Sequence, residues 1–124
     1  MTSDFRILIV DDDAMNIDIL MDSLEEEYDV RAAESGEEAL EIIPQYNPDV
    51  ILLDIMMSGI DGYEVCRRIR EDDTYKSVKI ILISGRAMED ERQKGFAVGA
   101  DDYITKPFDV DDIADKIKLL KEGG

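Results

Sequence analysis

Three acids in succession, Asp11-Asp12-Asp13, directly follow the apolar run Ile7-Leu8-Ile9-Val10, and another, Asp54, directly follows Ile51-Leu52-Leu53. A hydroxyl and an ammonium hold matching places: Ser84 closes Ile80-Ile81-Leu82-Ile83, and Lys106 comes after Tyr103-Ile104-Thr105. Taken singly each is ordinary, because acids at strand ends close turns and cap helices, and lysines are surface residues. Their common position links them. If the apolar runs are parallel strands, their carboxyl ends share one rim, where open α/β sheets place their chemistry. Carboxylates gathered there repel by ~4 kcal/mol per pair at a separation of about 4 Å and an effective dielectric of about 20. Proton uptake or a cation must relieve that repulsion. A hard divalent ion with oxygen ligands does so at neutral pH. Mg2+ suits two or three carboxylates, whereas no loop has the ligand spacing of an EF-hand calcium site.

The elements that must position these groups alternate along the chain. Residues 49–54 enclose a run of four apolar residues of the kind found in strands covered on both faces, and end on the carboxylate of Asp54. Residues 6–10 and 79–83 read the same way, while 28–32 and 102–105 are shorter or more polar and suit sheet edges. Between them lie helical patterns. Ile17, Leu20, Met21 and Leu24 make one stripe, and Val65, Cys66 and Ile69 another. Ser35-Gly36-Glu37-Glu38 has capping-box spacing before Ala39, Leu40 and Ile43. Pro44 and Pro48 read as punctuation before the central strand. Residues 71–77 read as a polar loop. A fourth helix over about 89–98 is weakly specified, with Gly95 inside it and Gly99 as its stop. Asp109 is placed to cap a last helix that turns Val110, Ile113, Ile117 and Leu120 inward. Five strand–helix units with right-handed crossovers predict a flavodoxin-like α/β fold: a doubly wound, five-stranded parallel sheet with helices on both faces. With the mixed strands at the edges the order is 2-1-3-4-5, one of the two common doubly wound arrangements, with its switch point between the first and third strands.

Bulk properties narrow the function. The 124 residues read as one domain, with a core over about 6–120, large enough to stand without staples. A formal net charge of −17 argues against direct nucleic-acid binding. The absence of histidine removes imidazole as base, nucleophile or metal ligand. The sequence has no long apolar span and no signal-peptide pattern. With Cys66 as the only cysteine, a reducing cytoplasm is the expected location. Cys66 and the Met56-Met57 pair read as packing rather than as redox or soft-metal features.

The chain resembles receiver domains of the two-component response-regulator family. The resemblance is carried by Ile-Leu-Ile-Val-Asp-Asp at 7–12, Pro-Asp-Val-Ile-Leu-Leu-Asp at 48–54, Gly-Ile-Asp-Gly at 59–62, Ile-Ser-Gly at 83–85 and Gly-Ala-Asp-Asp-Tyr-Ile-Thr-Lys-Pro-Phe at 99–108. Each piece is weak alone, but five in order at the family's spacing are specific. The resemblance implies that Asp54 accepts a phosphoryl group from a phosphohistidine on a partner histidine kinase or histidine phosphotransfer protein. It further implies that Asp12, Asp54 and the Met56 carbonyl bind Mg2+ directly, with Asp11 helping through water. Lys106 and Ser84 would contact the phosphoryl oxygens, and Tyr103 would turn inward as Ser84 moves. Met56 and Arg86 stand where hydrolysis of the acyl phosphate is tuned, and are expected to slow the access of water. A downstream effector would read the state, and homodimerisation on phosphorylation would use the fourth helix, fifth strand and fifth helix.

Two positions depart from the commonest pattern: Ser58 where proline is usual, and Gly85 in place of a frequent alanine. A rival class, the aspartyl-phosphate phosphohydrolases, also places an acid after an apolar strand. It wants a second acid two residues on, where this chain has Met56. A flavin-binding or purely structural use of the same sheet fits less well, because an acidic rim repels a flavin phosphate. The expectation is a signalling module that is no enzyme toward a separate substrate.

Overall fold

A computed structural model describes residues 5–57, 59–85 and 89–123 of the chain. Five strands alternate with five helices: β1 (Arg6–Val10), α1 (Ala14–Leu24), β2 (Asp29–Ala33), α2 (Gly36–Tyr46), β3 (Val50–Asp54), α3 (Gly62–Glu71), β4 (Lys79–Ser84), α4 (Glu89–Ala97), β5 (Asp102–Thr105) and α5 (Val110–Gly123). The strands pair in parallel in the order β2-β1-β3-β4-β5. The burial that orders them is the one the sequence carries. All of β3 is buried, as is β1 beyond Arg6, whereas β2 and β5 keep partly exposed positions.

Because side chains alternate across a pleated sheet, the interior divides into two halves. Leu8, Val10, Ile51, Leu53, Leu82 and Tyr103 belong to the half that also takes residues of α2 and α3. Ile7, Ile9, Val50, Leu52, Ile81 and Ile104 belong to the half completed by α1 and α5, which contribute Ile17, Leu20, Ile113 and Ile117. Odd and even positions of one strand thus serve different helices.

The caps fall where the sequence placed them. Ser35 accepts the Glu38 N–H at 3.1 Å, and Asp109 accepts that of Asp111 at 2.9 Å. Gly99 adopts φ +105° and ends α4. Two expectations need correction. Pro44 lies inside α2 rather than after it. It costs one hydrogen bond on an exposed face of the last turn, and the turn is held instead by Tyr46. That ring is buried, with its hydroxyl 2.6 Å from Asp29 Oδ1 and 2.8 Å from the Asp29 carbonyl. Residues 71–77 contain a single 3-10 turn, Asp73–Tyr75, capped by Asp72, so they are more ordered than a polar loop.

Helix α4 is fastened through polar contacts on one side of α3. Lys94 Nζ lies 4.5 Å from the centre of the Tyr63 ring. The Cys66 thiol donates to the Val98 carbonyl at 3.5 Å, and burial raises that thiol to about 11, so it stays protonated. Arg70 Nε donates to the Gly99 carbonyl at 2.8 Å and its Nη2 to Asp101 Oδ2 at 2.7 Å.

Candidate functional site

The carboxyl ends of the strands meet in register. Val10 pairs with Leu53, Asp54 with Ile83 and Ser84 with Thr105, so Asp11, Asp54, Ser84 and Lys106 are brought to one rim. The Lys106 N–H donates to the Ser84 carbonyl at 2.7 Å, which carries the ladder one residue past β5. Among the described residues Asp11, Asp54 and Ser84 are the buried polar or charged ones, while Asp12 is exposed.

One oxygen from each of Asp11, Asp12 and Asp54 lies within 4.8 Å of the others. Lys106 Nζ stands between two of these acids, 3.4 Å from Asp54 Oδ1 and 3.8 Å from Asp11 Oδ2. Asp54 Oδ1 also faces the Met56 N–H at 3.4 Å. Burial, and then the charge of Asp11, push the Asp54 carboxyl from 3.8 up to about 6, although Lys106 pulls the other way. Lys106 therefore does not fully balance the cluster. An oxygen-only donor set with residual negative charge, and no imidazole or thiolate in reach, is chemistry that fits a hard divalent cation such as Mg2+.

The local sequence explains why Asp54 is held so firmly. After β3 the chain turns through Gly59, at φ +80°, to Asp61, whose side chain caps α3 by accepting the Glu64 N–H at 2.9 Å. Gly62 then passes so close to β3 that a Cβ there would lie 2.5 Å from the Asp54 carbonyl oxygen and 2.8 Å from Ile55 Cα. The glycine closing the 59–62 motif is thus a steric requirement of bringing α3 against the end of β3. Gly85 differs, since a Cβ there would meet nothing within 4 Å.

Of the residues expected from sequence, Asp11, Asp12, Asp54 and Lys106 converge, and Met56 lies two residues beyond Asp54 with its side chain exposed. Ser84 reaches the same rim, one residue beyond the partner of Asp54 in β4. Tyr103 is set deeper: it pairs with Leu82, is buried, and has its ring against Gly95. By alternation Ser84 and Tyr103 fall on the same side of the sheet. Arg86 and Ser58 lie outside the described residues. Asn16, which no sequence motif marks, also belongs here: its Nδ2–H donates to Asp11 Oδ2 at 3.3 Å. Its position one turn before Leu20 on the inward stripe of α1 was the available signal.

A doubly wound sheet of this order, with an acidic cluster and a lysine at the carboxyl rim, is the architecture of a phosphoacceptor signalling module. Comparison with known proteins agrees: residues 7–118 match the family described as Response regulator receiver domain, and the chain belongs to that family. It is 43% identical over 120 residues to the Transcriptional regulatory protein ResD of Bacillus subtilis, covering 96% of this chain and 49% of that protein. It is 37% identical over 116 residues to the DNA-binding dual master transcriptional regulator RpaA of Synechocystis sp., covering 93% and 48%. The chain thus spans about half the length of these relatives. Among solved structures, a putative response regulator from Chloroflexus aurantiacus superposes with a TM-score of 0.89 at 35% identity, covering 95% of this chain and 98% of that one. The protein is therefore a receiver domain of the two-component response regulators.

Proposed function

We propose that Asp54 is the phosphoacceptor of this domain, served by Asp11, Asp12, Met56, Lys106 and Ser84. The observation that carries the reading is the gathering of three carboxylates within 4.8 Å, with an ammonium 3.4 Å from one of them. Asp12, Asp54 and the Met56 carbonyl would hold Mg2+, and Asp11 would act through water. The ion, when bound, neutralises charge on the acceptor and on the transferring phosphoryl group.

The chain's own residues supply the rest. An Asp54 carboxylate oxygen attacks phosphorus, the bond from phosphorus to the donor nitrogen breaks, and its electron pair stays on the donor imidazole. The product is an acyl phosphate on Asp54. The donor is a phosphohistidine of another domain, a histidine kinase or phosphotransfer protein, because this chain has no histidine. Lys106 exchanges its contact with Asp54 for a phosphoryl oxygen, and the Ser84 hydroxyl donates to another. Movement of Ser84 is passed to Tyr103 and α4 on its side of the sheet. Met56 and Arg86 restrain attack by water.

Met56 also weighs against a phosphohydrolase. The position two residues beyond the acceptor offers no acid to protonate a leaving group, so turnover is confined to the domain's own acyl phosphate. The setting is cytoplasmic. Output passes to an effector, attached or separate, as the transcriptional relatives suggest, with pairing of receivers through α4, β5 and α5 as one route. Direct contact with DNA is left to the effector, because this domain is strongly acidic.

Incubation with acetyl phosphate and Mg2+, followed by intact-mass measurement, tests the assignment. One phosphoryl group should be gained, and Asp54→Asn should gain none. Label persisting in Asp54→Asn would place the acceptor elsewhere, and multiple turnovers of an unrelated phosphate ester would favour the hydrolase.

A further inference from the structure

We propose that Asn16 is a positioning residue for phosphoryl transfer: its amide occupies one oxygen of Asp11 and so leaves the Lys106 ammonium to Asp54. The inference rests on the reading of Asp54 as acceptor. Asp11 is buried, and both of its oxygens are engaged. Oδ1 accepts the Asp13 N–H at 2.9 Å, and Oδ2 accepts Asn16 Nδ2–H at 3.3 Å. That same Oδ2 faces Lys106 Nζ at 3.8 Å, against 3.4 Å from the ammonium to Asp54 Oδ1. Two carboxylates thus compete for one cation, and a neutral donor sits on the loser.

Nothing else about α1 calls for an amide here. The helix is already capped by Asp13, whose side chain accepts the Met15 N–H at 2.9 Å. Asn16 is half-buried and precedes Leu20 by one turn on the stripe of Ile17, Leu20 and Leu24, where an apolar side chain would pack. An amide at that place gives up packing but satisfies the inner acid without adding charge. Without it, Asp11 Oδ2 would regain its full acceptor capacity in a site of low dielectric, where a bare carboxylate attracts an ammonium strongly. Lys106 would be drawn toward Asp11 and away from the atoms that receive the phosphoryl group.

The test compares wild type, Asn16→Leu and Asn16→Ala by the rate of acetyl phosphate labelling at saturating Mg2+, by the Mg2+ Kd from calorimetry, and by circular dichroism. Both variants should label about tenfold more slowly while the Mg2+ Kd shifts by less than about twofold, the size of effect expected when the support of a site residue is lost. Unchanged labelling in a folded variant would overturn the proposal. So would slowing that merely follows a weaker Mg2+ Kd, since Asn16 would then serve the metal rather than the ammonium. Slowing in Asn16→Ala alone would assign the effect to packing and would equally overturn it. Wild type that takes no label at Asp54 would sink the acceptor reading itself, whereas labelled wild type with unaffected variants sinks only the role of Asn16.

Discussion

Asp54 and Asp11 occupy adjacent buried positions with Lys106 Nζ within 3.8 Å of both, and that crowding has a consequence for pH. The folded protein binds a proton at Asp54 more tightly than the unfolded chain does, since the carboxyl moves from 3.8 to about 6. Between those values the native state carries more protons, so the Asp54 contribution to stability falls as pH rises through the interval and stays low above it. In the presence of a chelator, the melting temperature should carry this downward component between about pH 4 and 6, and Asp54→Asn should flatten it. The same variant should melt higher than wild type at pH 7.5 without metal, by about 4 °C for each kcal/mol of repulsion removed. Equal pH slopes in the two proteins would show that Asp54 is not strained. Asp11, Asp54, Ser84 and Lys106 were legible from sequence because each ends an apolar run, and parallel pairing sends such ends to one edge. Asn16 was harder to read: its place one turn before Leu20 hinted at an inward side chain, but a polar residue in the first turn of a helix reads as solvated until the neighbouring strand end is placed beside it.

At the scale of elements, the junction between β3 and α3 sets the position of Asp54. Gly62→Ala would force its Cβ against the Asp54 carbonyl and Ile55 Cα, so backbone must give way on one side. The expected cost is about 2 kcal/mol, typical of overpacking at a rigid site, together with slower labelling as Asp54 shifts. Gly85→Ala, facing open space, should change stability by less than about 0.5 kcal/mol. Denaturant titration of the two variants checks the contrast, and comparable losses would mean that the close approach at Gly62 is not limiting. Strands β1, β3, β4 and β5 were readable nearly to the residue, because apolar runs bounded by polar residues leave little choice of register. The path of α2 through Pro44 was not, since the buried Tyr46 hydroxyl that holds its last turn finds its partner 17 residues away. Helix α4 had the weakest pattern for the same kind of reason: Lys94, Val98 and Gly99 are held by side chains of α3, and such contacts leave no period in the sequence of α4 itself.

For the whole molecule, a cation that binds only the folded arrangement of Asp11, Asp12 and Asp54 must raise stability in proportion to the logarithm of its concentration. At about 100 times the Kd the gain is about 2.7 kcal/mol, which scanning calorimetry should detect as a rise of several degrees. Asp12→Ala should abolish most of that rise while leaving the metal-free protein folded, because Asp12 is exposed. A full Mg2+ response in Asp12→Ala would remove this residue from the metal site. No helix among the described residues is long and apolar enough to cross a membrane.

The alternation that splits the interior also decides by what route a chemical event can be felt. Asp54 shares its side of the sheet with Val50 and Leu52 and hence with α1 and α5, whereas Ser84 and Tyr103 lie on the opposite side with Leu82. The sheet is a bulkhead of close-packed aliphatic chains, and news of a modified acid has to go round its upper lip rather than through it. Substitutions deep in the strands should therefore weaken the wall without garbling the message, while small changes along the lip should do the reverse.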